Sequence, residues 1–138
     1  MSYQRGADFE RQLVRYLREH GGEAVRVAGS GGYVDVVCYA PAMGHVAIEC
    51  KVRRNNRLYV RREEIEGLTG FAERFRAEPM IAWKPPHVRT GLTLNAILFP
   101  PDLMEERERT YVIDLKTALE EGIDVICLVT RSLDSYRK

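Results

Sequence analysis

The run Val46–Val52 has the β-branched and apolar content of a buried strand, yet it carries Glu49 and Lys51 two residues apart. A charged side chain in a core strand is destabilising unless it is paired or metal-bound. Any fold this chain adopts must therefore bring compensating groups to that strand. Asp35 interrupts a second such run, Tyr33–Tyr39, and Pro41–Gly44 between the two runs has hairpin length. Strand alternation puts Glu49 and Lys51 on one face, with Ile48, Cys50 and Val52 on the other. In a hairpin Asp35 can converge with Glu49 and Lys51, which leaves Cys38 and Cys50 on the opposite, core-packing face.

The flanking sequence places this hairpin among helices. Phe9, Leu13, Val14 and Leu17 recur at helical spacing, and His20-Gly21-Gly22 supplies a stop, so a helix is predicted over Ala7–Glu19. Ala24–Val27 is a short β-prone run, and Gly29-Ser30-Gly31-Gly32 reads as a turn. A helix followed by a three-stranded antiparallel meander results. Ile65, Leu68, Phe71, Ala72 and Phe75 form the apolar stripe of a second helix over Glu63–Arg76. Gly67 and Gly70 weaken it by up to about 1 kcal/mol each relative to alanine, or let other groups approach closely. Pro79 ends this helix, and Met80–Trp83 is predicted as a buried strand. Beyond Lys84-Pro85-Pro86 the pattern suggests strands at Thr93–Phe99, Tyr111–Ile113 and Ile123–Thr130, with a short helix at Leu115–Glu121. Ser132–Lys138 is expected to fray.

Several function classes are excluded at this level. At 138 residues the chain needs no disulfide or structural metal to fold, and Cys38, Cys50 and Cys127 form no CxxC pair. No apolar run is long enough to span a bilayer, and the N-terminus lacks a signal core, so a cytoplasmic protein with no membrane partner is expected. The net charge of +1 hides an asymmetry: residues 1–62 hold 11 Lys and Arg against 6 Asp and Glu. Lys51, Arg53, Arg54, Arg57, Arg61 and Arg62 crowd into Cys50–Arg62 without an acid between them. Guanidinium groups suit phosphate recognition, so nucleic acid is a candidate partner; a solvated charged face is the alternative.

Two carboxylates beside a lysine are what a metal-dependent phosphodiesterase requires. The carboxylates bind the ion, the ion neutralises phosphate charge and acidifies water, and the lysine stabilises the phosphate or orients the water. The competing reading is an ion pair of purely structural use. Such pairs are weak stabilisers, which favours chemistry for three charges in adjacent core strands. Glu10, in the first turn of the first helix, is on its own a good dipole partner, and Ser30 on its own a turn residue. Tyr59 is as suited to the core as to DNA, Trp83 reads as core, and the isolated His20, His45 and His87 carry no role.

The pattern Asp35…Glu49-Cys50-Lys51 resembles the motif of the PD-(D/E)xK nuclease superfamily. The wider string adds Arg5-Gly6, Glu10, Arg26-Val27-Ala28-Gly29-Ser30-Gly31, Ile48 and Leu58-Tyr59-Val60, and is similar to archaeal-type Holliday junction resolvases from about Arg5 through Trp83. Val34 departs from the proline that often precedes the aspartate, a residue without a chemical role. The resemblance implies an α/β fold: a central mixed β-sheet flanked by helices, with a restriction-endonuclease-like core (αβββαβ). It implies a single nuclease domain over 1–138, with the motif region at 5–84 and a C-terminal part at 85–131. Glu10, Asp35 and Glu49 would be acidic metal-site residues, Lys51 the catalytic lysine, and Ser30 a residue near the scissile phosphate. Arg5, Arg26, Arg53, Arg54, Arg57, Arg61 and Arg62 would contact DNA phosphates. The implied activity is a Mg2+-dependent endonuclease, with Mn2+ as a substitute. It would act as a homodimer on branched DNA, making paired nicks in four-way junctions during recombination and repair. It would work near the nucleoid, or inside a host cell if viral. Thr93–Phe99 and Tyr111–Leu115 are the expected dimer surfaces. A repair or restriction-type nuclease acting on duplex, flap or single-stranded DNA, and an inactive DNA-binding module, remain the alternatives.

Overall fold

A computed structural model describes residues 2–28 and 33–130, with side chains from Arg5 onward. In chain order the elements are α1 (Ser2–Glu19), β1 (Glu23–Arg26), β2 (Val36–Ala40), β3 (Gly44–Val52), β4 (Arg57–Arg61), α2 (Arg62–Phe75), β5 (Glu78–Lys84), β6 (Ile97–Phe99), β7 (Glu105–Glu106), β8 (Thr110–Asp114), α3 (Leu115–Glu121) and α4 (Ile126–Val129). Five strands make the main sheet in the order β1-β2-β3-β5-β6, while β4, β8 and β7 form a smaller sheet beside it. The expected meander is present: β1 pairs with β2 and β2 with β3, both antiparallel. The chain then crosses through β4 and α2 and returns as β5, parallel to β3 in a ladder from Val46↔Glu78 to Val52↔Lys84. This is the mixed sheet of the αβββαβ core, with β4 inserted before its second helix.

Alternation along the central strands sorts their side chains into two hydrophobic layers. Phe9, Leu13 and Leu17 of α1 pack on Val36, Cys38, Val46, Ile48, Met80 and Ala82. Ile65, Leu68 and Ala72 of α2 pack on Ala47, Ile81, Trp83, Ile97 and Phe99, with Leu58 and Val60 of β4. Covered on both sides, β3 is buried along nearly its whole length from Val46 to Val52. The position that alternates with Ala47 on the α2 side is therefore Glu49, and after it Lys51.

Several boundaries differ from expectation for local reasons. Helix α2 stops at Phe75 because Arg76 turns left-handed (φ 57°) and donates back to the carbonyls of Ala72 and Glu73. Pro79 is thus the second residue of β5 and not the helix stop. The basic run, for which no strand was expected, contains one, β4, paired antiparallel with β8. Only the second half of Thr93–Phe99 is a strand, because Leu94 and Asn95 adopt positive φ. Asn95 fastens the preceding turn: its Oδ1 accepts from Thr90 N at 2.9 Å and its Nδ2 donates to Val88 O at 2.8 Å. The predicted strand Ile123–Thr130 is reduced to a single bridge, Ile123 to Leu98, followed by the helical turn α4.

In the runs expected to form the dimer surface, Ile97, Leu98, Phe99, Val112 and Ile113 are buried in the chain's own core, whereas Thr93, Leu94, Asn95, Tyr111 and Leu115 are half-buried. Among the described residues, no helix is long and apolar enough to cross a membrane.

Of the two helix glycines, Gly67 is the one that a close approach requires. A Cβ there would collide with Cδ2 of Tyr33, whose hydroxyl donates to Glu63 Oε2 at 3.3 Å. Helix propensity alone favours alanine by about 1 kcal/mol, whereas overpacking costs about 1–3 kcal/mol. Gly67→Ala should therefore lower unfolding stability in a urea titration, and the same change in a Tyr33→Ala background should raise it. A stabilising Gly67→Ala in the wild-type background would contradict the contact.

Candidate active site

Three elements converge where β2 and β3 separate. From β3, Glu49 and Lys51 point to the α2 side; Glu64 descends on them from the first turn of α2. Lys51 Nζ stands 3.0 Å from Glu49 Oε2 and 3.0 Å from Glu64 Oε1. The three side chains are 9%, 6% and 14% exposed, in the order Lys51, Glu49, Glu64. Glu49 and Lys51 are the two charged residues among the buried described positions. Glu64 Oε2 also receives Arg61 Nη2 at 3.1 Å.

Asp35 lies just before β2, at the end of the ladder. Its backbone donates to Ile48 O at 2.8 Å and accepts from Val27 N at 2.9 Å. Its Oδ2 accepts from Cys50 N at 2.8 Å, so a carboxylate takes over a strand amide where backbone pairing stops. Glu10 on α1 accepts from Arg26 Nε at 3.0 Å, which ties the helix to the end of β1.

The electrostatics link these groups. Burial pushes the Glu49 carboxyl up to about 7, against the pull of Lys51. Burial also raises Asp35, opposed by the Cys50 amide and by Lys51. Glu10 is raised by burial and then by the charge of Asp35. Burial opposes ionisation of Glu64 too, but Lys51 and Arg61 together hold it below the ordinary carboxylate range. Acids raised in this way hold protons that a cation displaces, so cation binding here strengthens as the pH rises. The thiols sit apart from this chemistry: burial pushes Cys38 up to about 12, and Cys50 is raised well above its ordinary value.

Among the described residues, no three carboxylate, imidazole or thiol groups close on one point as a finished ligand shell. Glu49 is held by Lys51, Asp35 by the Cys50 amide, and Glu10 by Arg26. One atom breaks the pattern of satisfaction. Glu49 Oε1 is buried and has no hydrogen-bond partner. An ionised buried oxygen without a partner is costly, and a hard divalent cation is the ligand that carboxylate oxygens accept best. The donor set of Glu49 and Asp35 fits such an ion.

The other expected site residues fall into two groups. Ser30 lies in 29–32, outside the described residues. Arg5 is exposed on α1, and Arg53 and Arg54 are exposed between β3 and β4. Among the described residues, Arg53, Arg54 and Arg57 have no carboxylate within ion-pair distance. Arg61 is committed to Glu63 and Glu64. Arg62 bonds Glu106 at 2.7 Å, donates to the carbonyls of Arg107 and Glu108, and lies 5.4 Å from the centre of the Tyr111 ring. It fastens α2 to the small sheet. Trp83 is fully buried and donates Nε1 to Arg53 O at 2.9 Å, which fixes the chain as it leaves the active strand. Tyr59 is exposed. Glu64 and Tyr33 were not singled out by sequence. Glu63-Glu64 at a helix start reads as dipole compensation, and only the tertiary structure separates their roles.

Comparison with known proteins bears on the chain as a whole. A family model described as archaeal Holliday junction resolvase (Hjc) matches residues 1–135. The crossover junction endodeoxyribonuclease Hjc of Methanocaldococcus jannaschii is 35% identical over 113 residues, covering 81% of this chain and 77% of that protein. The protein of the same name from Sulfurisphaera tokodaii is 31% identical over 145 residues, covering 96% and 95%. The crystal structure of Archaeoglobus fulgidus Hjc, a Holliday junction resolvase, superimposes with a TM-score of 0.75 at 30% identity, covering 93% of this chain and 99% of that one. Sequence match and shared fold agree, and the chain belongs to the archaeal Holliday junction resolvase (Hjc) family.

Proposed function

We propose that this chain is a single nuclease domain that hydrolyses phosphodiesters at four-way DNA junctions, with Asp35, Glu49 and Lys51 as its chemical centre. It is a Holliday junction resolvase, an endodeoxyribonuclease of recombination and repair that depends on a divalent metal. The observation that carries the site is the buried, unpartnered Glu49 Oε1 beside a lysine held by two carboxylates. Glu49 and Asp35 would hold the ion, with Mg2+ as the ordinary occupant and Mn2+ as a substitute; Glu10 completes the acidic set. When bound, the ion neutralises scissile-phosphate charge and acidifies a water molecule.

The chain's own groups supply the rest. Lys51 presents an ammonium to the phosphate oxygens where negative charge develops and helps orient the attacking water. The family resemblance assigns Ser30 a role at the scissile phosphate. Asp35 keeps its second oxygen on the Cys50 amide and so fixes the distance between the two strands. Arg5, Arg53, Arg54 and Arg57 contact phosphates on either side of the cut; Arg26, Arg61 and Arg62 do so only at the edge of their ion pairs. Phosphate contacts carry no base information, so selectivity is for the shape of the branch. A homodimer places two such centres about a two-fold axis, which matches a two-fold junction and yields paired nicks. The protein works where cellular DNA is, beside the nucleoid.

Asp35→Asn should abolish cleavage of a labelled four-way junction in Mg2+ while junction affinity in EDTA stays within about threefold, because one ligand is lost and the phosphate contacts are not. Wild-type cleavage by Asp35→Asn would reject the site. Equal cutting of the junction and of its linear duplex arms would reject the branch selectivity. Replacing Arg53 and Arg54 by alanine should weaken binding and flatten the log–log salt dependence by about 1 to 2, as expected for two lost phosphate contacts. An unchanged slope would place the DNA on another surface.

A further inference from the structure

Glu63 and Glu64 are adjacent acids at the start of α2, yet they do different things. Glu63 is 59% exposed and serves Arg61 and the Tyr33 hydroxyl. That is the ordinary position for an acid compensating a helix N-terminus. Glu64 is 14% exposed, and its Oε1 is aimed inward at Lys51 Nζ. Its other oxygen is held from outside by Arg61, which bonds both acids and fixes the rotamer of Glu64 across the β4–α2 junction.

Lys51 is therefore held twice, by Glu49 and by Glu64, each at 3.0 Å. The two holds are not equivalent. Glu49 has a free buried oxygen and is the carboxylate suited to a cation. A divalent ion on Glu49 would draw off the charge that holds Lys51 and would repel its ammonium. With Glu49 as the sole anchor, Lys51 would leave the site as the ion arrived. The charge count points the same way. When ionised, Asp35, Glu49 and Glu64 carry three negative charges against the one positive charge of Lys51 on the inner side, with Arg61 on the outer oxygen of Glu64, so the inner groups leave a negative charge for a divalent cation to offset. With the ion bound, Glu64 balances Lys51, and Asp35 and Glu49 balance the ion.

We propose that Glu64 is a positioning residue that anchors Lys51 independently of Glu49, so that the lysine stays in place when Asp35 and Glu49 take up a divalent cation. The inference rests on the reading of Asp35, Glu49 and Lys51 given above, and a double-mutant cycle separates the two. Single-turnover junction cleavage in Mg2+ is measured for wild type, Glu64→Ala, Glu64→Gln, Lys51→Ala and the double variant Lys51→Ala with Glu64→Ala. Junction affinity is measured for each in EDTA. Glu64→Ala should slow cleavage about 10- to 100-fold, the usual effect of losing a supporting contact. Glu64→Gln, which keeps an acceptor for Lys51 without the charge, should fall between Glu64→Ala and wild type. Junction affinity should change less than about threefold throughout, since no phosphate contact is lost. In the Lys51→Ala background, Glu64→Ala should cause less than a twofold further loss, because there is no lysine left to hold.

A second readout needs no turnover. Acylation of Lys51 in the Ca2+-loaded protein, followed by peptide mass spectrometry, should be several-fold faster in Glu64→Ala than in wild type, because an unanchored amine is more accessible. Wild-type cleavage by Glu64→Ala, an equal loss in both backgrounds, or unchanged Lys51 acylation would overturn the anchoring role. Wild-type cleavage by Lys51→Ala would instead overturn the underlying site.

Discussion

The contact on which the rest of this structure depends is the ammonium of Lys51 between two carboxylates. A strand covered on both faces cannot carry Glu49 and Lys51 unless something compensates them. Compensation comes from α2, a helix that arrives only after the chain has formed β4 and turned at Arg61. The placement of α2 over β3 is in turn fixed by Ile65, Leu68 and Ala72 against Ala47, Ile81 and Trp83. Hydrophobic packing sets the height of the helix, and that height lets Glu64 reach Lys51. A pair of this kind is a poor stabiliser compared with apolar residues of the same shape. The proposed chemistry would account for such a pair at the centre of the sheet, and the oxygen of Glu49 left without a partner is where a cation would bind.

The two ends of the chain serve this centre differently. The N-terminal part supplies the strands, the acids and the basic surface. The stretch after Lys84 supplies closure: β6 borders β5, Ile123 bridges Leu98, and Leu128 fills the layer beneath α1. Lys84 donates to Leu94 O at 2.6 Å and lies 5.5 Å from the centre of the Phe9 ring, so the C-terminal segment is fastened close to the helix that carries Glu10. The small sheet has a comparable duty, since Arg62 anchors the start of α2 to the β7–β8 turn.

What could be read from sequence follows from which forces are local. The helix of Phe9, Leu13 and Leu17, the hairpin of β2 and β3, and the shared face of Glu49 and Lys51 are all consequences of periodicity, and periodicity is written in neighbouring residues. The motif region was legible for that reason. The failures have a common cause as well. Arg57–Arg61 reads as part of a basic run and not as a strand, because its strand character depends on β8, about fifty residues away. Ile123–Thr130 has strand composition but meets the sheet at its edge, where one bridge is all that is available before α4 turns. Thr93–Phe99 is divided by the left-handed Leu94 and Asn95, a conformation selected by the hydrogen bonds of Asn95 to a distant turn. Glu64 was invisible for the same reason: nothing in Arg-Arg-Glu-Glu tells which acid faces inward.

The central claim is that the buried acids and Lys51 form a cation-dependent hydrolytic centre whose lysine is held from α2. The most direct test is a crystal of the protein grown with Mn2+ and examined by anomalous scattering at the manganese edge. The account predicts a manganese peak liganded by the carboxylates of Asp35 and Glu49, with Lys51 still bonded to Glu64. Manganese absent from that position at saturating concentration, with Glu49 still paired to Lys51, would contradict it.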